Sequence, residues 1–156
     1  MRSLRGDEIE GALKQYGESA RLGDLLDGEV LAAEGETAGG RWELVASGDG
    51  ERRGIFLRDE TGQTSVATSK ADLDDGGYVS TVTGHAGGTP AVFGLVGPDI
   101  AEVVAEGSDV PPTRLELLVI PGWQSRAFVM WPPGDPSDVV LVFRDGSGAE
   151  IGRTQR

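Results

Sequence analysis

Ala91-Val-Phe-Gly-Leu-Val96 holds five apolar side chains and one glycine, with no polar group among them. A strand with one wet face alternates apolar and polar residues. An unbroken apolar run of this length suits a strand buried in the middle of a sheet. The stretch before it, Gly84-His-Ala-Gly-Gly-Thr-Pro90, is rich in breakers and reads as an interstrand loop. It lacks the spacing of a phosphate loop, and a strand follows it where a helix N-terminus would be needed to face the phosphate.

That loop carries His85, the only histidine of the chain. A catalytic histidine needs a nucleophile and an orienting carboxylate within hydrogen-bond reach. No G-x-S-x-G elbow exists, and Ser80, Ser108 and Ser125 are set apart by nothing but their hydroxyls. One histidine without cysteine is a poor zinc set. His85 is therefore read as an inert loop residue.

Working outward, the same texture of short apolar runs cut by Gly, Pro and Asp extends from about residue 29 to 153. Trp42, Leu44 and Ala46 alternate with Glu43, Val45 and Ser47. Ile55 and Leu57 share one face of a second run, and Gly48-Asp-Gly-Glu51 between the two has hairpin chemistry. Residues 78–83, 101–106, 114–119, 127–131, 139–143 and 149–153 are further strands, the last entered through Asp145-Gly-Ser-Gly148. Ala101, Val103 and Ala105 alternate with Glu102 and Glu106, which gives that strand a wet face. Prolines 111, 112, 132, 133 and 136 are assigned to connections. Nine or ten short strands with turn signals between them predict an all-β fold, a single antiparallel β-sandwich of immunoglobulin-like or similar type.

The N-terminal residues differ. Asp7 and Glu10 form a capping-box pattern, and Ile9, Leu13, Tyr16 and Ala20 recur at helical spacing. Gly11 and Gly17 each weaken such a helix by about 1 kcal/mol relative to alanine. The spacing predicts a short helix over 7–22 that docks on the main domain or frays. The domain organisation read here is a helical extension at 1–28 and a β-sandwich at 29–156.

Composition narrows the function. The 156 residues carry a net charge of −12, which repels phosphate backbones and anionic membrane surfaces. The absence of cysteine removes disulfides, thiolate metal sites and cysteine nucleophiles. No stretch approaches the roughly 20 apolar residues of a membrane-spanning helix. These features predict a protein partner, no nucleic acid and no membrane insertion. The compartment is extracytoplasmic if the chain is a trimmed ectodomain and cytoplasmic otherwise.

Two groups of residues stand out as candidates. Asp72-Leu-Asp-Asp-Gly-Gly77 resembles the opening of a calcium loop, with Asp72, Asp74 and Asp75 as the ligands. The match then stops, because Gly76 and Thr83 occupy the fifth and twelfth positions. Calcium is the one cofactor the sequence raises. Trp123 follows Pro121-Gly122, and Trp131 precedes Pro132-Pro133. With Phe128 between them, they predict an exposed aromatic patch for a protein partner.

The runs Gly40-Arg-Trp-Glu-Leu-Val-Ala-Ser47, Val92-Phe-Gly-Leu-Val-Gly-Pro98, Ala101-Glu-Val-Val104, Arg126-Ala-Phe-Val129 and Asp145-Gly-Ser-Gly-Ala-Glu150 carry a resemblance. The chain is similar, over about residues 29 to 153, to uncharacterised β-rich domains of high-GC actinobacterial proteins, many secreted or membrane-tethered. Twelve arginines against two lysines, and no asparagine, suit that source. The resemblance brings no catalytic motif. The function expected is a non-enzymatic binding or interaction module, either the ectodomain of an envelope or sensor protein or a subunit of an assembly. The alternatives are a carboxylate-dependent hydrolase and a carbohydrate- or calcium-dependent adhesive module.

Overall fold

The computed structural model describes residues 25, 28–37, 40–49, 51–60, 62–82, 90–107, 110–132 and 136–154. The expected helix at 7–22, His85 and Ser108 lie outside these residues. The described chain is all-β, with twelve strands and one short α-helix.

The first four strands form an antiparallel meander in chain order: β1 (Glu29–Thr37), β2 (Gly40–Gly48), β3 (Arg52–Asp59) and β4 (Gly62–Ser69). Local chemistry sets the turns. The Asp49 carboxylate accepts the N–H groups of Glu51 and Arg52, both at 2.8 Å, and closes the β2–β3 hairpin. Asp59 does the same for Gly62 at 3.1 Å after β3. The Ser69 hydroxyl then accepts the Asp72 N–H at 3.0 Å and caps α1 (Lys70–Asp74), which buries Leu73.

The remaining strands interleave into two more sheets. One has the order β5-β6-β10-β9, built from Tyr78–Val82, Val92–Val96, Arg126–Met130 and Leu118–Val119. The other has the order β12-β11-β7-β8, built from Glu150–Arg153, Val140–Arg144, Glu102–Gly107 and Val110–Arg114.

The apolar run at 91–96 explains the stacking of these sheets. Side chains alternate across a strand. Ala91, Phe93 and Leu95 join Leu44, Ala46, Ile55 and Leu57 of the first sheet in one core. Val92 and Val96 join Val103, Ala105, Leu141 and Phe143 of the third sheet in another. On β10, Ala127 faces the first core and Phe128 the second. The second sheet is thus the middle layer, apolar on both faces. A two-sheet sandwich was expected; the meander β1–β4 adds a layer beyond it. Phe93, Phe128 and Phe143 are fully buried, each contributing about 1.5–3 kcal/mol by leaving water.

Gly94, in the middle of β6, is a packing requirement. A Cβ there would collide with the Val79 carbonyl and the Phe128 ring. Gly152 on β12 likewise makes room for Tyr78, whose ring stacks on Phe143 with centroids 3.7 Å apart.

One expectation is corrected. Pro111 and Pro112 lie within β8 and not in a connection. β8 is an edge strand bonded only to β7, so a missing N–H on its outer side costs no ladder bond, and on the inner side the two prolines fall where the β7–β8 register shifts between Ala105 and Gly107. Both faces of β2 are buried at its centre, since Glu43 and Val45 are as fully enclosed as Leu44 and Ala46.

Candidate functional site

Trp123 is placed by a type II turn. Pro121 fixes the second position, Gly122 supplies φ +83°, and the Trp123 N–H donates to the Ile120 carbonyl at 3.0 Å. The half-buried indole packs on the core between the first and second sheets. The Arg53 guanidinium lies over its ring, 4.7 Å from the centroid, a cation–π arrangement. Carbonyls hold the guanidinium in place, since Arg53 Nη1 donates to Asp49 O and to Arg52 O.

Beside this pair, the end of the first sheet and α1 frame a cleft of about 400 Å³ lined by Glu51, Ser69, Lys70, Ala71 and Asp74. Lys70 joins its walls twice. Its N–H donates to the Glu51 carbonyl at 2.7 Å, and its Nζ pairs with Asp74 at 2.6 Å. The Ser69 oxygen already accepts the Asp72 N–H. The cleft therefore presents paired charges and a capping hydroxyl, which suit a polar segment held by hydrogen bonds.

The three aromatic candidates do not form one patch. Phe128 is fully buried, edge-on to Phe143 at 6.2 Å, and offers nothing to a partner. Its strand partner is Gly94, and the space a side chain would take there receives the Phe128 ring. Trp131 is half-buried and packs on Trp42, centroids 4.7 Å apart. Trp123 and Trp131 flank the two ends of β10, whose five residues separate them by about 17 Å.

The calcium candidates also diverge. Asp72 and Asp74 sit on α1 and Asp75 caps it, so the loop expected there is a helical turn. Residues two apart on a helix point to nearly opposite sides. Asp72 accepts from the Thr68 hydroxyl at 3.4 Å, while Asp74 is taken by Lys70. Among the described residues, no group of three or more Asp, Glu, His or Cys side chains could hold a metal ion. Of the hydroxyls named beside His85, Ser125 is buried and Ser80 half-buried on β5.

Sequence reasoning missed the pair Glu43–Arg58. The two residues are register partners on β2 and β3, and Arg58 Nε and Nη2 meet Glu43 Oε1 at 2.9 and 2.8 Å. The signal was a glutamate in an alternating strand facing an arginine one hairpin later.

No family model, curated protein or solved structure matches the chain. Among the described residues, no helix is long and apolar enough to cross a membrane.

Proposed function

We propose that the chain is a non-enzymatic interaction module that meets a protein partner at the end of the first sheet, where Arg53 covers Trp123. The single observation behind this reading is that pair. Tryptophan and arginine dominate the energetics of protein interfaces, and here both are held in place by a tight turn and by backbone carbonyls. The adjoining cleft adds hydrogen-bonding groups of both signs. Arg52, Arg53 and Lys70 stand there among Asp49, Glu51 and Asp74, which favours a polar segment of the partner.

The same reading takes β5–β12 as an immunoglobulin-like sandwich. Strand order supports it. The sequence β5-β6-β10-β9 corresponds to strands A-B-E-D of that fold, and β12-β11-β7-β8 to G-F-C with one added strand beside C. The meander β1–β4 is then an extra sheet laid on the A-B-E-D face. It brings Arg53 to Trp123 and builds the cleft, so the addition creates the proposed contact surface.

A photo-crosslinking residue placed at Ala71, beside the cleft, tests the function in cells of the native host. The control position is Gly146, in the turn between β11 and β12. A discrete protein adduct from position 71 alone, abolished by Trp123→Ala in a chain that keeps its melting temperature, is the expected result. Equal adducts from both positions, or none from either, would overturn the reading.

A further inference from the structure

The two outer strands of the first sheet end it in different ways. β1 carries Glu29, Glu34 and Glu36, and its pairing shifts register between Leu31 and Ala33. β4 reads Gly-Gln-Thr-Ser-Val-Ala-Thr-Ser, without a charge or a proline, and it pairs with β3 along its whole length with no shift. The edges of the other sheets are short, proline-bearing or charged. β9 has two residues and β5 five, β8 holds Pro111 and Pro112, and β12 carries Glu150 and Arg153. Charge, proline and bulges are what keep an open strand from pairing with another chain. Among the described strands, β4 is the long edge that has none of them.

The outer row of bonding groups on β4 follows from its register. In an antiparallel ladder every second pair exchanges its hydrogen bonds. The Lys70 N–H donates to the Glu51 carbonyl, so the bonded pairs above it are Arg53–Thr68, Ile55–Val66 and Leu57–Thr64. Gln63, Ser65 and Ala67 therefore turn their N–H and C=O groups away from β3. All three residues are exposed, and no described residue takes those groups. β5 does not close this edge. It meets β4 from the inner side, where Val66 and Val79 share one core.

We propose that β4 pairs with β4 of a second copy of this chain, antiparallel about a two-fold axis at Ser65, and so joins two four-stranded sheets into one. The strand is self-complementary in this register. Ser65 stands opposite Ser65, and Gln63 stands opposite Ala67, so no like charges meet. Beyond the strand ends, Glu60 of one copy faces Lys70 of the other. Charge is the reason for choosing this occupant and this edge. Two chains of net charge −12 repel one another, and a neutral strip is where they can approach. Self-pairing of β1 would crowd glutamates against glutamates, whereas β4 brings none.

Sedimentation equilibrium of the full chain should show a dimer that forms with rising concentration. Ser65→Pro removes the N–H that crosses the axis and leaves the ladder to β3 intact, so it should weaken the dimer about tenfold or more. Ser65→Thr should keep it. The absence of cysteine makes the register itself testable. Bonded partners in an antiparallel pair lie about 5.5 Å apart at Cα, within disulfide range. Ser65→Cys should therefore crosslink to itself on mild oxidation. Ala67→Cys alone should not, because its two copies stand about 14 Å apart, yet it should crosslink when mixed with Gln63→Cys. This pattern decides if the proline variant does not fold. A chain that stays monomeric at roughly 1 mM would overturn the proposal and leave the edge to an extended segment of another protein. A dimer that a folded Ser65→Pro leaves intact would also overturn it, as would Ala67→Cys crosslinking to itself as readily as Ser65→Cys.

Discussion

The two outward faces of the stack are finished in different ways. On the third sheet, Val104 and Val142 are buried, and their register partners include the long charged side chains Arg114 and Arg153. Arg114 and Arg144 reach Glu102 at 3.5 and 3.7 Å, and Arg153 pairs with Glu150 at 2.7 Å. Their heads stay in reach of water, Arg114 at 74% exposed. On the first sheet the charges themselves are out of water. The first arrangement leaves its charges in water; the second takes them out of it. A face that carries charged residues in the sequence can therefore be either solvated or buried, and side-chain length alone does not separate the two.

The largest expected effect breaks that contrast directly. Glu43→Ala leaves the Arg58 guanidinium buried without its carboxylate, a loss of about 3–5 kcal/mol. Glu102→Ala, on the wet face, should cost less than about 1 kcal/mol. Urea unfolding of the two variants measures both, and equal losses would remove the distinction.

A smaller effect sharpens it. Replacing both partners, Glu43→Leu with Arg58→Met, removes the desolvation of two charges and should return stability to within about 1–2 kcal/mol of the original, on either side. Failure to recover would mean that the ion pair does more than fill space. Salt gives a third comparison. At 1 M ionic strength the screening length is about 3 Å, so the added salt should narrow the gap between Glu102→Ala and the parent while leaving the Glu43→Ala loss intact.

The smallest effect comes with acid. Hydrogen bonds from the Arg52 and Glu51 N–H groups hold Asp49 below its ordinary value of 3.8. The Ser147 hydroxyl and N–H do the same for Asp145. Arg153 lowers Glu150 below 4.5. Groups depressed in the folded state give stability that is complete above the ordinary values and fades as pH falls through the lowered ones. Melting temperature should hold from pH 7 to about 5 and decline below about 4. Asp145→Ala should flatten that decline, and an unchanged slope would count against the turn's role.

Much of the fold was legible because burial writes itself into apolar runs. Residues 91–96 announced a buried strand, and 42–47 and 139–143 announced flanking ones. The turn chemistry of Asp49 and Asp145 was legible for the same reason: one carboxylate satisfies several N–H groups at a fixed spacing. The strands that escaped are edges. β1 is rich in glutamate and alanine, β4 reads Gly-Gln-Thr-Ser-Val-Ala-Thr-Ser, and β8 holds two prolines. An edge strand needs only one paired side and little core, so its composition is barely constrained. Missing β1 and β4 meant missing a sheet. The site was less legible still. Trp123 was placed at its turn correctly, but its partner Arg53 lies seventy residues earlier in the chain. Phe128 was misassigned because a strand buried on both faces has no outward side.

The wiring of the three sheets carries a consequence for how the chain reaches its native state. Every pairing in the meander joins consecutive strands, so loop closure is short and each hairpin can form by itself. The pairs β6–β10 and β7–β11 close loops of roughly thirty residues, and such non-local contacts form slowly. The meander should zip first and present Leu44, Ala46, Ile55 and Leu57 as a template on which the late-closing strands condense. Substitutions at Leu44 should then slow refolding more than substitutions at Phe93 or Phe128 of equal equilibrium cost, which should mainly speed unfolding, a difference stopped-flow kinetics would resolve.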